Sequence, residues 1–303
     1  MLATYNGAAY LPAQLDSLLA QTHKDWRVIA RDDGSSDGSL TLLETYARNY
    51  PGQFEILRDE GRAGAKISFS RLIAHSSAPY VAFCDQDDVW KPEKLELLLE
   101  ALCTEERHAE PGTPMLAHCD LQVVDESLEL MNPSFWVYQG IDPFRDDLSQ
   151  LLVQNVVTGC AMLCNRALVD AATPIPESAF MHDYWLALIA SALGRIVPVR
   201  HALIQYRQHG RNTLGAKKMP SFFSIPARTF SRDGWPLNYT AACAQADALV
   251  QALAGKASDE NLACAEKFAQ LYSHGWWMRR WVLVRYGIFP ALLRRHLSVL
   301  ARV

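Results

Sequence analysis

Three carboxylates stand within four positions in Cys84-Asp85-Gln86-Asp87-Asp88-Val89-Trp90, directly after the apolar run Tyr80-Val81-Ala82-Phe83. Carboxylates this close repel one another unless a cation or a set of donors joins them. A hard divalent ion is one solution, since Mg²⁺ takes one or two carboxylates and completes its shell with phosphate oxygens. An acidic turn is another, with Asp87 or Asp88 near the N-terminus of a helix over Pro92–Leu102. The apolar run reads as a short buried strand. Its acids then sit at the strand's C-terminal tip, the edge where open α/β sheets bind ligands.

Further groups along the chain could join that chemistry. Asp32-Asp33-Gly34-Ser35-Ser36-Asp37-Gly38 follows the strand-like Trp26–Ala30 and offers the adjacent carboxylates of Asp32 and Asp33, or an ordinary β-turn and helix cap. Asp183, after His182, heads a helix whose N-terminus keeps a carboxylate ionised, so it is either a general base or an N-cap. Gly159, between Thr158 and Cys160, permits a close backbone approach or marks a kink in a buried strand. In Tyr206-Arg207-Gln208-His209-Gly210, Arg207 suits a phosphate. His209 suits a metal or a diphosphate, or is a structural histidine. Lys66 and Arg62 could add cationic help or be solvated surface charge.

The elements that would position these groups alternate strand, acidic or glycine-rich turn, and helix, the rhythm of a parallel sheet. Helices are predicted over Leu11–Leu19, Thr41–Tyr50, Ser68–His75 and Asp183–Leu193. Strands are predicted over Phe54–Leu57, Met115–Val124, Asn155–Cys164, Arg195–Val199 and Leu203–Arg207. Residues 132–150 read as irregular and aromatic, and Gly210–Lys218 as a polar loop. Helical patterns return over Thr240–Ala254 and Asn261–Tyr272.

Ala3-Thr4-Tyr5-Asn6-Gly7, the Asp32–Gly38 turn, Asp85-Gln86-Asp87, Gln154–Cys160, Met181-His182-Asp183-Tyr184-Trp185 and Tyr206–Gly210 come in an order that resembles the family 2 glycosyltransferases. The resemblance is strongest to their bacterial rhamnosyltransferase-like branch and covers residues 1–216. It implies a GT-A fold, an α/β domain whose mostly parallel sheet is flanked by helices; the helical patterns beyond it add a helical C-terminal region over 217–303. It further implies transfer of a sugar with inversion from a nucleoside-diphosphate donor, dTDP-rhamnose in that branch, with Mg²⁺ or Mn²⁺. The acceptor would be a surface polysaccharide, a lipopolysaccharide or a lipid-linked saccharide. Thr4 and Tyr5 would flank the base, Asp33 with Asp32 nearby would contact base or ribose, and Asp85 would lie nearer the ribose. Asp87 would hold the metal, helped by His209. Gly159 would approach the transferred sugar, Arg207 the diphosphate, and Asp183 would be the general base. Trp136, Trp185 and Tyr138 could stack on sugar faces or belong to the core.

The chain departs from the family pattern in three places. Residues 61–68 lack the usual asparagine, His182 replaces a commoner acid, and only Met1 and Leu2 precede Ala3, so further residues upstream are expected. Two alternatives stay open: a nucleotidyltransferase acting on sugar phosphates, and a non-catalytic nucleotide-sugar-binding module. The first would want a basic, glycine-rich loop after strand one, and Asn6-Gly7-Ala8-Ala9 has no Lys or Arg.

With 303 residues, 50% hydrophobic, the chain can bury one large core plus an appendage. A net charge of −4 gives no nucleic-acid signature. Seven scattered cysteines predict free thiols in a reducing compartment, and Cys160 and Cys164 lack a second pair for zinc. Trp276–Val303 holds six arginines and no acid among tryptophans and leucines. That composition suits a segment lying at a membrane interface, or a helix pair packed on the catalytic domain with its arginines turned outward. The expected location is therefore cytoplasmic, peripheral at the inner face of the cytoplasmic membrane.

Overall fold

The computed structural model describes residues 1–59, 61–210 and 239–289. The loop expected beyond Gly210, the boundary at 216/217 and Arg294, Arg295 and Arg302 lie outside the described residues. The chain begins with β1 (Leu2–Thr4), α1 (Leu11–Leu19), β2 (Val28–Asp32), α2 (Ser39–Asn49), β3 (Phe54–Ile56) and α3 (Ala65–His75). Next come β4 (Tyr80–Ala82), β5 (Val89–Trp90), α4 (Lys94–Glu106), β6 (Met115–Val124), β7 (Leu130–Asn132), α5 (Phe135–Gln139) and α6 (Leu148–Leu151). A 3₁₀ turn over Gly159–Ala161 leads into β8 (Met162–Asn165), α7 (Arg166–Ala172), α8 (His182–Leu193) and β9 (Arg195–Arg207). The described C-terminal helices are α9 (Tyr239–Leu253), α10 (Asp259–Ala269) and α11 (Trp276–Arg285).

The strands form one path across the molecule. β3, β2 and β1 are parallel neighbours, and a parallel bridge from Leu2 to Cys84 carries the path to β4, β8, β6, β9 and β5. The register sets Thr4 beside Asp32, so the C-terminal tips of β1, β2 and β4 share one edge. The sheet is parallel through this half and mixed beyond it. β8 runs antiparallel to β4 and β6, whereas β9 runs parallel to β6 and antiparallel to β5. The reason is where β8 starts. The Gly159–Ala161 turn lies at the shared edge, so the strand leaving it can only run away from that edge.

This turn corrects the strand expected over Asn155–Cys164. Thr158 is extended, Ala161 N–H donates to Thr158 O at 2.9 Å, and only Met162–Asn165 joins the sheet. The irregular stretch 132–150 contains α5 and α6. Ser134 caps α5 by accepting from Val137 N–H at 3.1 Å.

Two cores flank the sheet. On one side, α1 buries Leu11, Leu15 and Leu18 and α4 buries Leu95, Leu98 and Leu102, each set recurring at helical spacing. On the other lies α8, whose residues Trp185–Ala190 are all nearly inaccessible to solvent. A helix buried on every side needs cover beyond the sheet, and the C-terminal helices supply it. α9 presents Ala242, Ala246, Leu249 and Leu253, and α10 presents Cys264, Ala265 and Phe268, to the same core. Gln245 Oε1 accepts from Phe180 N–H at 2.9 Å, and Asn261 Nδ2 donates to Ala192 O at 3.0 Å.

Gly194 joins α8 to β9 so tightly that a Cβ there would lie 1.7 Å from Pro114 O. Gly194→Ala should therefore cost roughly 1–3 kcal/mol or more, the usual penalty for forcing atoms into a filled space. Thermal melting reads it as a lowered Tm. An unchanged Tm would mean that β9 can start further from Pro114 without loss.

Candidate active site

At the shared sheet edge the tips of β1 and β2 lie side by side, with Thr4 against Asp32. Gln86 stitches β1 to the β4 tip: Thr4 Oγ1 and Tyr5 N–H donate to Gln86 Oε1 at 2.6 and 2.7 Å, and Gln86 Nε2 donates to Tyr5 O at 3.1 Å. A Cβ on Gly7 would meet the Gln86 amide at 2.3 Å, so glycine is what lets this side chain in. The two aspartates of β2 and its turn do different things. Asp33 uses both oxygens, accepting from Arg31 at 2.6 Å, Ala63 N–H at 2.7 Å and Gly64 N–H at 2.8 Å. Burial pulls its pKa upward, but Arg31 and these N–H groups outweigh that and hold it below the usual range. Asp32 accepts Gly34 and Ser35 N–H groups through Oδ2, while its Oδ1 is buried without a partner. Both oxygens of Asp33, expected at base or ribose, are thus engaged within the protein. Asp33 instead holds the loop at residues 61–64.

Arg31 organises that loop from below. Fully buried, it donates to Asp33, Asp59, Ser68 Oγ and Gly61 O. Burial opposes its charge, but the hydrogen bonds to Asp33 and Asp59 prevail and raise its pKa. The other cations of this region have partners within the protein. Lys66 Nζ donates to Glu177 O and Ala179 O at 2.6 and 2.9 Å, and the Arg62 guanidinium stands 4.0 Å from the Tyr5 ring centre.

The acids after β4 form the centre of the edge. Asp85 and Asp87 are partly accessible, whereas Asp88 is fully buried. Ligand atoms of Asp85, Asp88 and Cys160 lie within 4.8 Å of one another. Burial first, then the charges of Asp87 and Asp183, push Asp85 up to about 7. Asp88 is raised further above the carboxylate range by burial and by Asp87 and Asp85; its Oδ1 accepts from Arg207 N–H at 3.2 Å and its Oδ2 has no partner. Asp87 Oδ2 meets His209 Nε2 at 2.8 Å, and that imidazole stacks on Tyr10 with ring centres 4.5 Å apart. The crowded, mutually repelling carboxylates are the donor type that fits a hard divalent cation, and the His209 imidazole stands at the rim of that group through its bond to Asp87. The buried Cys160 thiol, pushed well above its ordinary value by burial and the nearby acids, is a poor ligand for one.

Arg207 takes a different place from the expected phosphate contact. It is buried, and its guanidinium donates to Asp87 O at 2.8 Å and to Glu126 O, so it clamps the acidic turn to the end of β9. Beneath the cluster lies Lys94, which no feature of its sequence marked out. Its Nζ donates to Cys160 O at 2.6 Å and sits 3.0 Å from the centre of the Trp90 ring. Burial lowers it to about 8, against the raising influence of neighbouring thiols and Asp88.

Asp183 faces this cluster from the N-terminus of α8. Its Oδ1 accepts from Tyr184 N–H at 2.8 Å and its Oδ2 from Asn155 Nδ2 at 3.3 Å. Burial raises it to about 6, and backbone N–H groups including that of Gly159 restrain the rise. Gly159 lies against α8: a Cβ there would stand 3.2 Å from His182 Nε2 and 3.4 Å from Asp183 Cβ. His182 packs between Phe69 and Phe83 with both ring nitrogens unpartnered, and burial lowers it to about 3. It therefore packs as a neutral ring. Trp185 donates its indole N–H to Ala172 O in the core, and Trp136 is buried against His118, so neither presents a face to a sugar. All seven cysteines are free.

This is the architecture of a GT-A fold with acids at its ligand edge. The family model for glycosyl transferase family 2 matches residues 1–170. The chain belongs to that family. It is 27% identical over 221 residues to an uncharacterized glycosyltransferase of Nostoc sp., a match covering 70% of this chain and 65% of that protein, just under two thirds of the relative's length. It is 33% identical over 105 residues to the dTDP-rhamnosyl transferase RfbG of Shigella flexneri, covering 33% of this chain and 36% of that one. Its fold resembles the crystal structure of S. aureus TarS 1-349 in complex with UDP-GlcNAc, with a TM-score of 0.57, 14% identity and coverage of 90% and 70% of the two chains.

Two outcomes test this geometry. Gln86→Ala removes both partners of the Thr4–Tyr5 edge and should weaken donor-nucleotide binding measured by calorimetry, by the roughly 1–3 kcal/mol typical of buried groups left unsatisfied. Affinity equal to wild type would show that the edge holds its shape without the stitch. Asp183, raised to about 6, must lose its proton to act as a base, so turnover should rise with pH through that region. Because its folded pKa lies above the unfolded value, its ionisation costs stability as pH rises from about 4 to about 6. Asp183→Asn should thus melt no lower than wild type at pH 8 while turnover collapses. A marked fall in Tm would make Asp183 a cap.

Proposed function

We propose that this chain transfers a hexosyl group with inversion from a nucleoside-diphosphate sugar to a saccharide acceptor, with Mg²⁺ or Mn²⁺ bound at the acidic turn. The observation that carries the reading is the meeting, at one sheet edge, of Thr4, Tyr5 and Asp32, of Asp85 and the Asp87–His209 pair, and of the partly accessible Asp183. The base lies beside Thr4 and Tyr5, and Asp32, whose Oδ1 is buried without a protein partner, accepts from a ring N–H or a ribose hydroxyl once its side chain turns outward. Asp85, on the donor side, meets the ribose. Asp87 and His209 hold the cation, which when bound neutralises charge on the departing diphosphate. Asp183 takes the proton from an acceptor hydroxyl. The hydroxyl oxygen bonds to the anomeric carbon as the bond to the diphosphate oxygen breaks on the opposite face. Gly159, with no side chain, lets the turn pack against α8 and so sets Asp183 beside the acidic turn.

The finer identities follow from likeness. The rhamnosyltransferase-like motif order and the short match to RfbG favour dTDP-rhamnose as donor. The acceptor in this reading is a surface polysaccharide, a lipopolysaccharide or a lipid-linked saccharide, met at the inner face of the cytoplasmic membrane. Nucleic acid has no part in it.

A panel of nucleotide sugars with Mg²⁺ or Mn²⁺, read by nucleoside-diphosphate release, tests the donor. Asp87→Asn should abolish metal-dependent transfer, since lost charge stabilisation of this kind is worth several kcal/mol. Activity that survives EDTA, or a product with retained anomeric configuration, would overturn the scheme.

A further inference from the structure

α11 turns its apolar side the wrong way for a helix in water. Val282 and Leu283 face the core and are buried. Trp277, Trp281 and Val284, spaced four and three residues apart, form one outer stripe and are 78%, 56% and 61% exposed. Trp276 and Met278 widen it and are also exposed. At 3.6 residues per turn, Arg280 and Arg285 flank the stripe about 60° and 80° to either side of Trp277. No acid occurs within the helix. The Arg280 guanidinium lies 3.6 Å from the Trp276 ring centre, so the cation and the indole form one surface. Among the described residues, no helix is long and apolar enough to cross a membrane.

We propose that α11 lies in the headgroup layer of an anionic bilayer. Trp277, Trp281 and Val284 enter the interface, and Arg280 and Arg285 meet lipid phosphates. Charge complementarity selects this occupant. Indoles seat at the headgroup level, and arginines beside them gain from a negative leaflet. A second copy of this chain placed face to face would bring like charges together, which costs affinity. Ten residues of helix span only about 15 Å, so the segment lies in the plane of the membrane. The assignment adds a docking surface to the proposed function and depends on neither the sugar nor the metal.

The test is sedimentation of the full chain with phosphatidylcholine vesicles, with and without phosphatidylglycerol, at low and high salt. Binding should require phosphatidylglycerol and weaken with salt. Each of Arg280→Gln and Arg285→Gln should reduce partitioning about fivefold. Trp277→Ser with Trp281→Ser should reduce it at least roughly tenfold and remove quenching by brominated lipid. Equal melting temperatures would confirm that these exposed sites leave the fold intact. If the serine pair melts lower, the arginine pair decides alone: lost binding supports the surface, and retained binding overturns it. No binding to anionic vesicles overturns it too, as does a dimer in sedimentation equilibrium that dissolves with the serine pair.

Discussion

Carboxylates crowded where water is scarce govern the ligand edge of this protein. Asp85, Asp87, Asp88 and Asp183 act on one another, and burial pushes three of them above the ordinary carboxylate range. Such a cluster disperses unless other groups hold it. The turn over Gly159–Ala161 is the chief brace. On one side it touches Asp183 through Gly159; on the other, the Cys160 side chain reaches Asp85 and Asp88. Lys94 then fixes the Cys160 carbonyl from beneath, and Arg207 fixes the backbone of Asp87 from β9. The antiparallel turn of β8 follows, because a strand that leaves this brace has only one direction open to it.

A second network keeps the donor side in place, and it is built from buried charge of the opposite kind. Arg31 has no solvent contact, yet four partners from three other parts of the chain accept from it. Removing one partner of such a buried network typically costs several kcal/mol, far more than a surface ion pair contributes. Asp33 is a member of this network, which is why it is poorly suited to a ligand. Asp32, its neighbour in sequence, points to the other side of the strand's end and keeps an unpartnered oxygen. Adjacent acids thus divide into one that holds the loop and one that is open to chemistry.

The alternation of short apolar runs with acidic turns made the parallel half of the sheet legible, because strand, turn and helix leave local signals there. The acids at the tip of β4 were legible for the same reason. Arg31, Gln86 and Lys94 were not. Each acts through residues roughly thirty to eighty positions away, and a lone arginine, glutamine or lysine in a helix or strand has no local mark of such a partner. Arg207 and His182 were visible as residue types but not in task, since a clamp and a phosphate contact use the same guanidinium. Trp136 and Trp185 show the same limit: an indole has the same affinity for a core as for a sugar face, and only packing separates them. The strand expected over Asn155–Cys164 failed because an apolar run with one glycine does not reveal that the glycine lies against α8.

α8 joins these two halves of the argument. Its N-terminal dipole favours an ionised Asp183, and several N–H groups reinforce that preference. Burial opposes them and prevails, leaving the carboxyl near 6 rather than near 4. In the proposed role of Asp183 as base, this shift brings its pKa closer to a neutral working pH, where a base is most effective. That burial depends on cover supplied from outside the matched family segment. The residues of α8 that follow Asp183 are enclosed by α9 and α10, from a region the family model does not reach. The described C-terminal helices therefore support the helix whose N-terminus carries Asp183.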